Sequence, residues 1–444
     1  MNKSNLPKEV VGLLEKFSDK GYEIYIVGGA VRDLLMGKLV YDWDFTTNAT
    51  PKQILKVIPE GFYDNAFGTV GIKYESHDKP FEITTFRTEG TYSDNRRPDS
   101  ISWGKSLNED LKRRDFTINA MALDNTKKII DPFKGQVDIE KKIIRTVGSA
   151  QKRFSEDALR MMRAIRIASE IGFTIEQKTL DAISQNAPLI EKIAKERVKS
   201  ELFKILSSPH PHEGMILFKS SGLLEKILPE LSKCFGVEQK SPQRHHKYDV
   251  GTHLFMSLKK CKSDNPVVRF AALIHDIGKP QTYKKLDSGV ITFYNHEMVS
   301  TTIAKNISTR LKLSKAEDEK LITLVRYHQF TVDDKQTDAS IRRFIRKVGL
   351  EHIEDMLDLR VADRLGGGAT ETSWRTEDFK KRIVEVQKEP FTIKDLKIGG
   401  KDVMKELNLK PGPEIGIVLK RLFHEVVENQ LPNEKEILLK KLKE

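Results

Sequence analysis

Cysteine is nearly absent, with Cys234 and Cys261 the whole supply in 444 residues. Two thiols make neither a disulfide framework nor a four-cysteine zinc site, and a reducing cytoplasm fits them. Long apolar runs are missing too, so no stretch reads as a bilayer-crossing helix, and the mixed, charged first twenty residues do not read as a signal peptide. Acid is in deficit, 64 Asp and Glu against 76 Lys and Arg, a formal charge of +12. That excess favours a polyanionic partner, because each cation near a phosphate releases counterions, but it does not separate RNA from DNA or acidic lipid. What is present is 38% apolar and 32% charged. This suffices for packed cores in a soluble, helix-rich protein of about two to four domains with much wet surface.

The chain is organised around Gly28-Gly29-Ala30-Val31-Arg32-Asp33, which follows the apolar run Ile24-Tyr25-Ile26-Val27 and precedes Asp42-Trp43-Asp44-Phe45. The run reads as a buried strand, and the glycine pair lets the backbone approach a phosphate as the next helix begins. Arg32, in that helix's first turn, has a planar fork suited to a triphosphate. A second strand carrying Asp42 and Asp44 at i and i+2 sends both carboxylates to one face, with Trp43 and Phe45 directed into the core. Two acids so placed need a cation between them. Mg2+ ions bridging a nucleotide's phosphates meet that need, since hard cations prefer oxygen ligands and paired metals stabilise attacking and leaving oxygens. Glu82, in Phe81-Glu82-Ile83-Thr84-Thr85-Phe86 on a neighbouring strand, is the candidate third catalytic acid. Taken singly, a Gly-Gly or an Asp-x-Asp is only a turn or a polar strand end. In the order strand, Gly-Gly, helix, strand with Asp-x-Asp, they resemble the head of the polymerase-beta-type nucleotidyltransferases, within them the class II branch of tRNA CCA-adding enzymes and bacterial poly(A) polymerases.

Around this motif, Val10, Leu13, Leu14 and Phe17 have helical spacing, Thr50 and Pro51 read as the N-cap and first position of a helix, and residues 68–72 and 81–86 alternate like adjacent strands. Residues 87–110, rich in Gly, Asp, Asn, Arg, Pro and Ser, read as a mobile loop. In the resembling family this region helps the site switch from CTP to ATP.

Leu111-Lys112-Arg113-Arg114-Asp115-Phe116-Thr117-Ile118-Asn119-Ala120 is the second strong signal. Arg114 could neutralise triphosphate charge, while Asp115 accepts from a ribose hydroxyl or orients Arg114. The stretch resembles the family's ribose- and phosphate-contacting motif. Beyond residue 154, Glu156-Asp157-Ala158-Leu159-Arg160-Met161-Met162-Arg163-Ala164-Ile165-Arg166 reads as one helix with polar residues stepping by three. Asp157 and Arg160 then share a face and offer a carboxylate acceptor and a guanidinium donor to a nucleobase edge, so the protein itself could act as template. Each step of three falls about 60° short of a turn, which carries Arg166 to the far side. The resemblance nevertheless implies nucleotide binding by Asp157, Arg160, Arg163 and Arg166 together with Gly28, Gly29, Arg32, Arg114 and Asp115. Residues 191–206 resemble the family's neck, and no chemistry is assigned to them.

A separate set begins at His253 and runs through His275-Asp276, His296, His328 and Asp363, the doublet lying in Ala272-Leu273-Ile274-His275-Asp276-Ile277-Gly278-Lys279. Imidazole and carboxylate ligands suit Mn, Fe, Ni, Co or Zn better than Mg alone. The ordered set resembles the HD phosphohydrolase superfamily, including the extra histidines of two-metal members. His245-His246 could line the same site. Resemblance implies a phosphodiesterase or phosphatase activity that tidies damaged tRNA 3' ends.

The expected fold is α+β: a head with a small mixed sheet over residues 1–150, an all-α neck over 151–235, an HD helical domain over 236–365 and a helical tRNA-binding tail over 366–444. In the tail, residues 412–416 could offer backbone N–H groups to RNA, although helix caps explain the glycines equally well. The expected activity is addition of CMP and AMP to the tRNA 3' end from CTP and ATP with Mg2+, and a second divalent transition metal in the HD site. Partial CC- or A-addition, poly(A) synthesis, a hydrolase with a retired head and an RNA-binding scaffold without turnover are the competing readings.

Overall fold

The computed structural model describes residues 6–63, 68–89, 101–103, 106–239, 247–330, 332, 336–370, 374–386, 393–428 and 430–444. It divides into two compact units, Met1–Lys233 with Ile307–Leu313, and Cys234–Asn306 with Ser314–Glu444.

In the first unit the strands include β1 (Ile24–Val27), β2 (Asp44–Thr47), β3 (Phe62–Tyr63), β4 (Thr69–Ile72), β5 (Phe81–Thr85), β6 (Arg87–Glu89), β7 (Ile101–Trp103), β8 (Ala122–Leu123) and β9 (Ile129–Ile130), and a short parallel pair Ile143–Ile144 with Thr174–Ile175 lies outside them. Seven of them form one mixed sheet in the order β3-β4-β5-β2-β1-β8-β9. β2 runs antiparallel to β1 and parallel to β5. Helix Lys8–Ser18 buries Val10, Leu13, Leu14 and Phe17, as their spacing predicts. They join Ile26, Trp43, Phe45, Val70, Phe81 and Ile83 in one core cluster. Phe17, Phe45 and Phe81 are fully buried, and each such burial stabilises by about 2 kcal/mol. The buried side of β2 and β5 thereby fixes where their polar residues stand. The cap at residue 50 also forms, with the Gln53 side chain accepting from Thr50 N at 2.8 Å ahead of helix Pro51–Val57.

Three local expectations differ from the structure. β2 begins at Asp44, so Asp42 precedes the strand. The supposed loop has paired ends, since Arg87–Glu89 and Ile101–Trp103 form an antiparallel ladder and Leu107–Lys112 is helical. The part of that loop at residues 90–100 and 104–105 lies outside the described residues. Finally, residues 156–166 are not one helix. Helix Ala150–Glu156 stops, Asp157 is extended at φ −140° and ψ 105°, and helix Leu159–Ile171 starts anew. The cause is local: Asp157 Oδ1 accepts from Leu159 N at 3.0 Å, a side-chain bond that competes with helical continuation.

The second unit is mainly helical. Helix Val250–Lys260 packs on Ile353–Gly366, and Pro266–Ile274 packs on Lys315–Tyr327. Towards the C-terminal end, Val403, Leu422, Phe423, Leu438 and Leu442 form a separate small core. There Gly399 and Gly412 cap helices Gly400–Leu407 and Pro413–Val427. No helix among the described residues is long and apolar enough to cross a membrane.

Candidate active sites

Asp44 opens β2 and stands in register with Val27 on one side and Glu82 on the other. Registered neighbours project to the same face of a sheet, so Asp44 and Glu82 rise together from its end. The next residue after Val27 is Gly28, at φ +74°. A Cβ there would lie 3.1 Å from Arg114 Nη1 and 3.4 Å from Asp44 Oδ2. This glycine therefore serves two needs: a backbone conformation that side chains resist, and space where an acid and a guanidinium face each other. Burial raises the Asp44 pKa against the pull of Arg114, and neighbouring Asp42 raises it further. A carboxylate in that position gains from a nearby cation.

Asp42 is exposed and pairs with Lys79 at 2.7 Å. Arg32 is buried and already engaged: Nε donates to Asp33 at 2.9 Å and Nη1 to Asn119 at 3.0 Å. Its guanidinium lies against Gly29, whose added Cβ would sit 3.6 Å from Nη2. Arg114 pairs with the fully buried Asp110 at 3.4 Å, and Arg113 pairs with the same carboxylate at 2.8 Å. Burial opposes charge on Asp110, but those two arginines hold its pKa below the usual range.

Asp115 does not orient Arg114, the partner that adjacency in sequence proposed. Its Oδ2 accepts from Arg163 Nε at 2.8 Å and its Oδ1 from Phe116 N at 2.9 Å. Burial alone would raise this carboxyl, yet Arg163 and Arg160 bring it down to about 2. Arg163 thus ties the helix behind the head to the motif that carries Arg114. Its neighbours form a lattice. Arg160 Nη1 donates to Glu156 at 2.8 Å, Asp157 Oδ2 meets Arg197 at 3.4 Å, and Arg166 meets Glu201 at 3.4 Å. The break at residue 157 removes the shared helical face assumed for Asp157 and Arg160, and each takes a different partner.

The second unit gathers all six residues of the histidine-aspartate set. His253, His275, Asp276 and Asp363 form one group of potential ligands, and Asp276, His296 and His328 another, with the ligand atoms of each group within 4.8 Å of one another. Asp276 belongs to both. Its Oδ2 is 3.4 Å from His253 Nε2 and 3.5 Å from His275 Nε2, and its Oδ1 is 3.1 Å from His296 Nε2 and 3.4 Å from His328 Nε2. Asp363 Oδ1 lies 3.2 Å from His253 Nε2. Three of the rings are aimed from behind. Nδ1 of His275, His296 and His328 sits 3.0, 2.7 and 2.7 Å from the carbonyls of Ala272, Phe293 and Val325. A carbonyl only accepts, so in the neutral ring Nδ1 carries the proton and Nε2 presents its lone pair inward.

The doublet sits at a helix end: Pro266–Ile274 finishes just before it, with His275 as its C-cap. Gly278 then admits the next element, because a Cβ there would overlap the His296 carbonyl and Ser300 N. The donors fit a cation. Burial opposes charge on His275, yet Asp276 and Asp363 draw its pKa up to about 10. Burial would also raise Asp276, but Lys279 and His275 hold it well below the usual range. His245-His246 lies outside the described residues.

Several participating residues carried little sequence signal. Lys279 donates to Asp276 at 2.6 Å and to Gln239 at 2.6 Å. Glu156 and Arg197 hold the lattice, and Asn119 holds Arg32. Only Asp110 had a readable cue, four residues before Arg114 at the spacing of a helical ion pair.

The two compact units thus carry an acid-arginine site at a sheet end and a buried histidine-aspartate cluster. The family profile of the Poly A polymerase head domain matches residues 24–145, "RNA and SrmB- binding site of polymerase A" matches 172–235, and tRNA nucleotidyltransferase domain 2 matches 290–442. Fold and site together define a nucleotidyltransferase, and that class implies dependence on a divalent metal. The CCA-adding enzyme of Ligilactobacillus salivarius is 34% identical, over 99% of this chain and 97% of its own. That of Geobacillus stearothermophilus is 34% identical over 97% and 95%. The crystal structure of the Bacillus stearothermophilus CCA-adding enzyme in complex with CTP superposes with a TM-score of 0.73 at 30% identity, covering 98% of this chain and 96% of that one. The chain belongs to the family of CCA-adding enzymes.

Proposed function

We propose that this protein builds the CCA end of tRNA, transferring CMP and AMP from CTP and ATP to the RNA 3' hydroxyl and releasing pyrophosphate. One observation supports this reading best: Arg163 joins the helix behind the head to Asp115, beside an Arg114 whose guanidinium faces Asp44 across Gly28. That contact supports assigning the base-selection and phosphoryl-chemistry groups to one and the same nucleotide.

In this reading Asp42 and Asp44 hold Mg2+, with Glu82 as the third acid, an oxygen donor set suited to a hard ion. When bound, the metal supplies charge neutralisation at the triphosphate and lowers the pKa of the attacking hydroxyl. The chain supplies the rest by positioning. The Gly28-Gly29 turn allows close approach of phosphate, Arg32 buttresses that turn, and Arg114 faces the developing negative charge. Asp157, ahead of the helix Leu159–Ile171, and Arg160 and Arg163 within it, each fixed by an opposite charge, are assigned to selecting cytosine or adenine, and Arg166 anchors that helix. No covalent intermediate is needed. We divide the work among a head at 1–150, a neck at 151–235, a histidine-aspartate domain at 236–365 and a tRNA-binding tail at 366–444. The cytoplasm is the assigned compartment.

The test uses tRNAs ending before each of the three terminal positions, with CTP and ATP given separately and together. Full CCA addition extends all three to the same end. Arrest after CC, or extension only of the CC-ended substrate, makes the protein a partial enzyme, and a run of adenosines makes it a poly(A) polymerase.

A second reading rests on the convergence of six potential ligands, Asp276 shared between their two groups. We assign that cluster to an HD-type phosphohydrolase that binds a transition metal and acts on 2',3'-cyclic phosphate at RNA ends. Metal analysis of the purified protein together with hydrolysis of adenosine 2',3'-cyclic phosphate tests it.

A further inference from the structure

Beside the histidine cluster, within the second unit, lies a cavity of about 680 Å3 lined by Gln329, Phe330, Arg360, Arg364, Trp374 and Arg375 among others. Its size falls in the ~300–1,000 Å3 span of small-ligand pockets. The described lining carries three guanidinium groups and no carboxylate. Aromatic faces accompany the charge. Arg360 stands 5.5 Å from the Phe330 ring centre and Arg375 stands 5.2 Å from that of Trp374. Phe330 is anchored, stacked on Phe379 at 5.5 Å. Trp374, by contrast, is 63% exposed, a large apolar ring held out at the cavity.

One ion pair links the cavity to the cluster. Asp363 Oδ1 lies 3.2 Å from His253 Nε2 in the cluster, while its Oδ2 lies 3.5 Å from Arg360 Nη1 in the cavity. Gln329 is the residue after His328, whose Nε2 faces Asp276. Arg364 follows Asp363 directly and is steadied by its Nε bond to the Thr370 carbonyl at 3.3 Å. A ligand whose anionic end meets Arg360 thus stands one ion pair away from Asp363 of the cluster.

The geometry points to this cavity as the nucleotide subsite of the histidine-aspartate centre. It takes a nucleoside bearing a terminal phosphate, with the base on Trp374 and the phosphate on Arg360 and Arg364. Guanidinium forks match phosphate oxygens, and a flat exposed indole suits a base face, a pairing that an acidic peptide would not use. The inference rests on reading the cluster as a phosphohydrolase. In the step it serves, water adds to the phosphorus of a 2',3'-cyclic phosphate, the bond from phosphorus to one ribose oxygen breaks, and that oxygen takes up a proton from the water. The product is a 2'- or 3'-phosphomonoester.

The test is a binding titration on the full-length protein in excess chelator, where no turnover occurs, following tryptophan emission as adenosine 2',3'-cyclic phosphate is added. A saturable quench is expected that disappears in Trp374→Leu, and its midpoint should rise at least tenfold in Arg364→Ala and in Arg375→Ala at unchanged melting temperature. A parallel titration with a short oligoribonucleotide ending in the same cyclic phosphate separates an RNA terminus, which binds at least tenfold tighter, from a free nucleotide, which binds as well as the oligomer. Absence of a Trp374-dependent quench, or equal midpoints in the arginine variants, overturns the subsite. Hydrolysis by metal-loaded protein keeps the two claims apart. An unchanged KM in Trp374→Leu and Arg364→Ala removes the subsite and spares the hydrolase, whereas quenching without any hydrolysis removes the hydrolase and spares the binding site.

Discussion

The two centres of this protein are built on opposite plans. Six side chains from five chain segments converge, Asp276 among them, and three imidazoles are aimed from behind by backbone carbonyls. In the head, the acids stand at a sheet end with Asp42 on Lys79, and the converging groups are arginines already neutralised by Asp110, Asp115 and Glu156. The difference follows from charge. In the cluster the imidazoles and the two carboxylates offset one another's charge and can be buried together, whereas in the head burial and neighbouring Asp42 both act against charge on Asp44. On the proposed reading, the cluster would retain a metal and the head would gather one with its nucleotide.

The sharpest way to break this comparison is to remove one plan at a time. Asp44→Ala with Asp42→Ala should lower CMP incorporation by on the order of 10^3-fold or more while leaving cluster metal content intact, as read by tRNA extension and elemental analysis. His275→Ala with Asp276→Ala should do the reverse, abolishing metal retention and cyclic-phosphate hydrolysis with incorporation changed by less than about threefold. Loss of both activities in either variant would mean that the centres are not independent.

Smaller effects sharpen the picture of the head. Arg163→Ala strands the buried Asp115 carboxylate and should reduce stability by roughly 3 kcal/mol in denaturant unfolding, the lower end for broken buried pairs because Arg163 itself is partly exposed. The same pair sets an acid limit. The folded-state pKa of Asp115 is lowered from 3.8 to about 2. Its stabilising contribution of about 2 kcal/mol is therefore fully present above pH ~4 and lost as the pH falls through ~2. Asp115→Asn should flatten the stability profile over that window. Least of all in stability, Gly28→Ala should cost about 1 kcal/mol through its positive φ, yet lower incorporation further than that loss explains, because the methyl intrudes between Arg114 and Asp44.

Some of this was readable in the chain. The order of strand, glycine pair, helix and acid-bearing strand was legible because period and punctuation are local properties, and the helix at Val10–Phe17 and the cap at Thr50 followed for the same reason. The break at Asp157 was not, since a helical pattern of charges continues on both sides while one side-chain bond to Leu159 N ends the helix. Nor was the partner of Asp115, which sequence proximity gave to Arg114 and packing gave to Arg163. The paired ends of the 87–110 segment were hidden by turn-rich composition between two short strands.

The sequence by itself determined the excess of basic charge, the acid-bearing strand and the roster of histidines and aspartates, because residue type and short-range spacing dictate these. Only the tertiary structure decided which charges meet. It drew Asp276 into contact with histidines from four segments, set Arg163 on Asp115, and gathered a cavity of arginines, one of them paired with Asp363. Pairings between residues tens to hundreds of positions apart depend on how helices and sheet pack, and packing is settled by buried apolar faces rather than by the polar residues that those faces bring together.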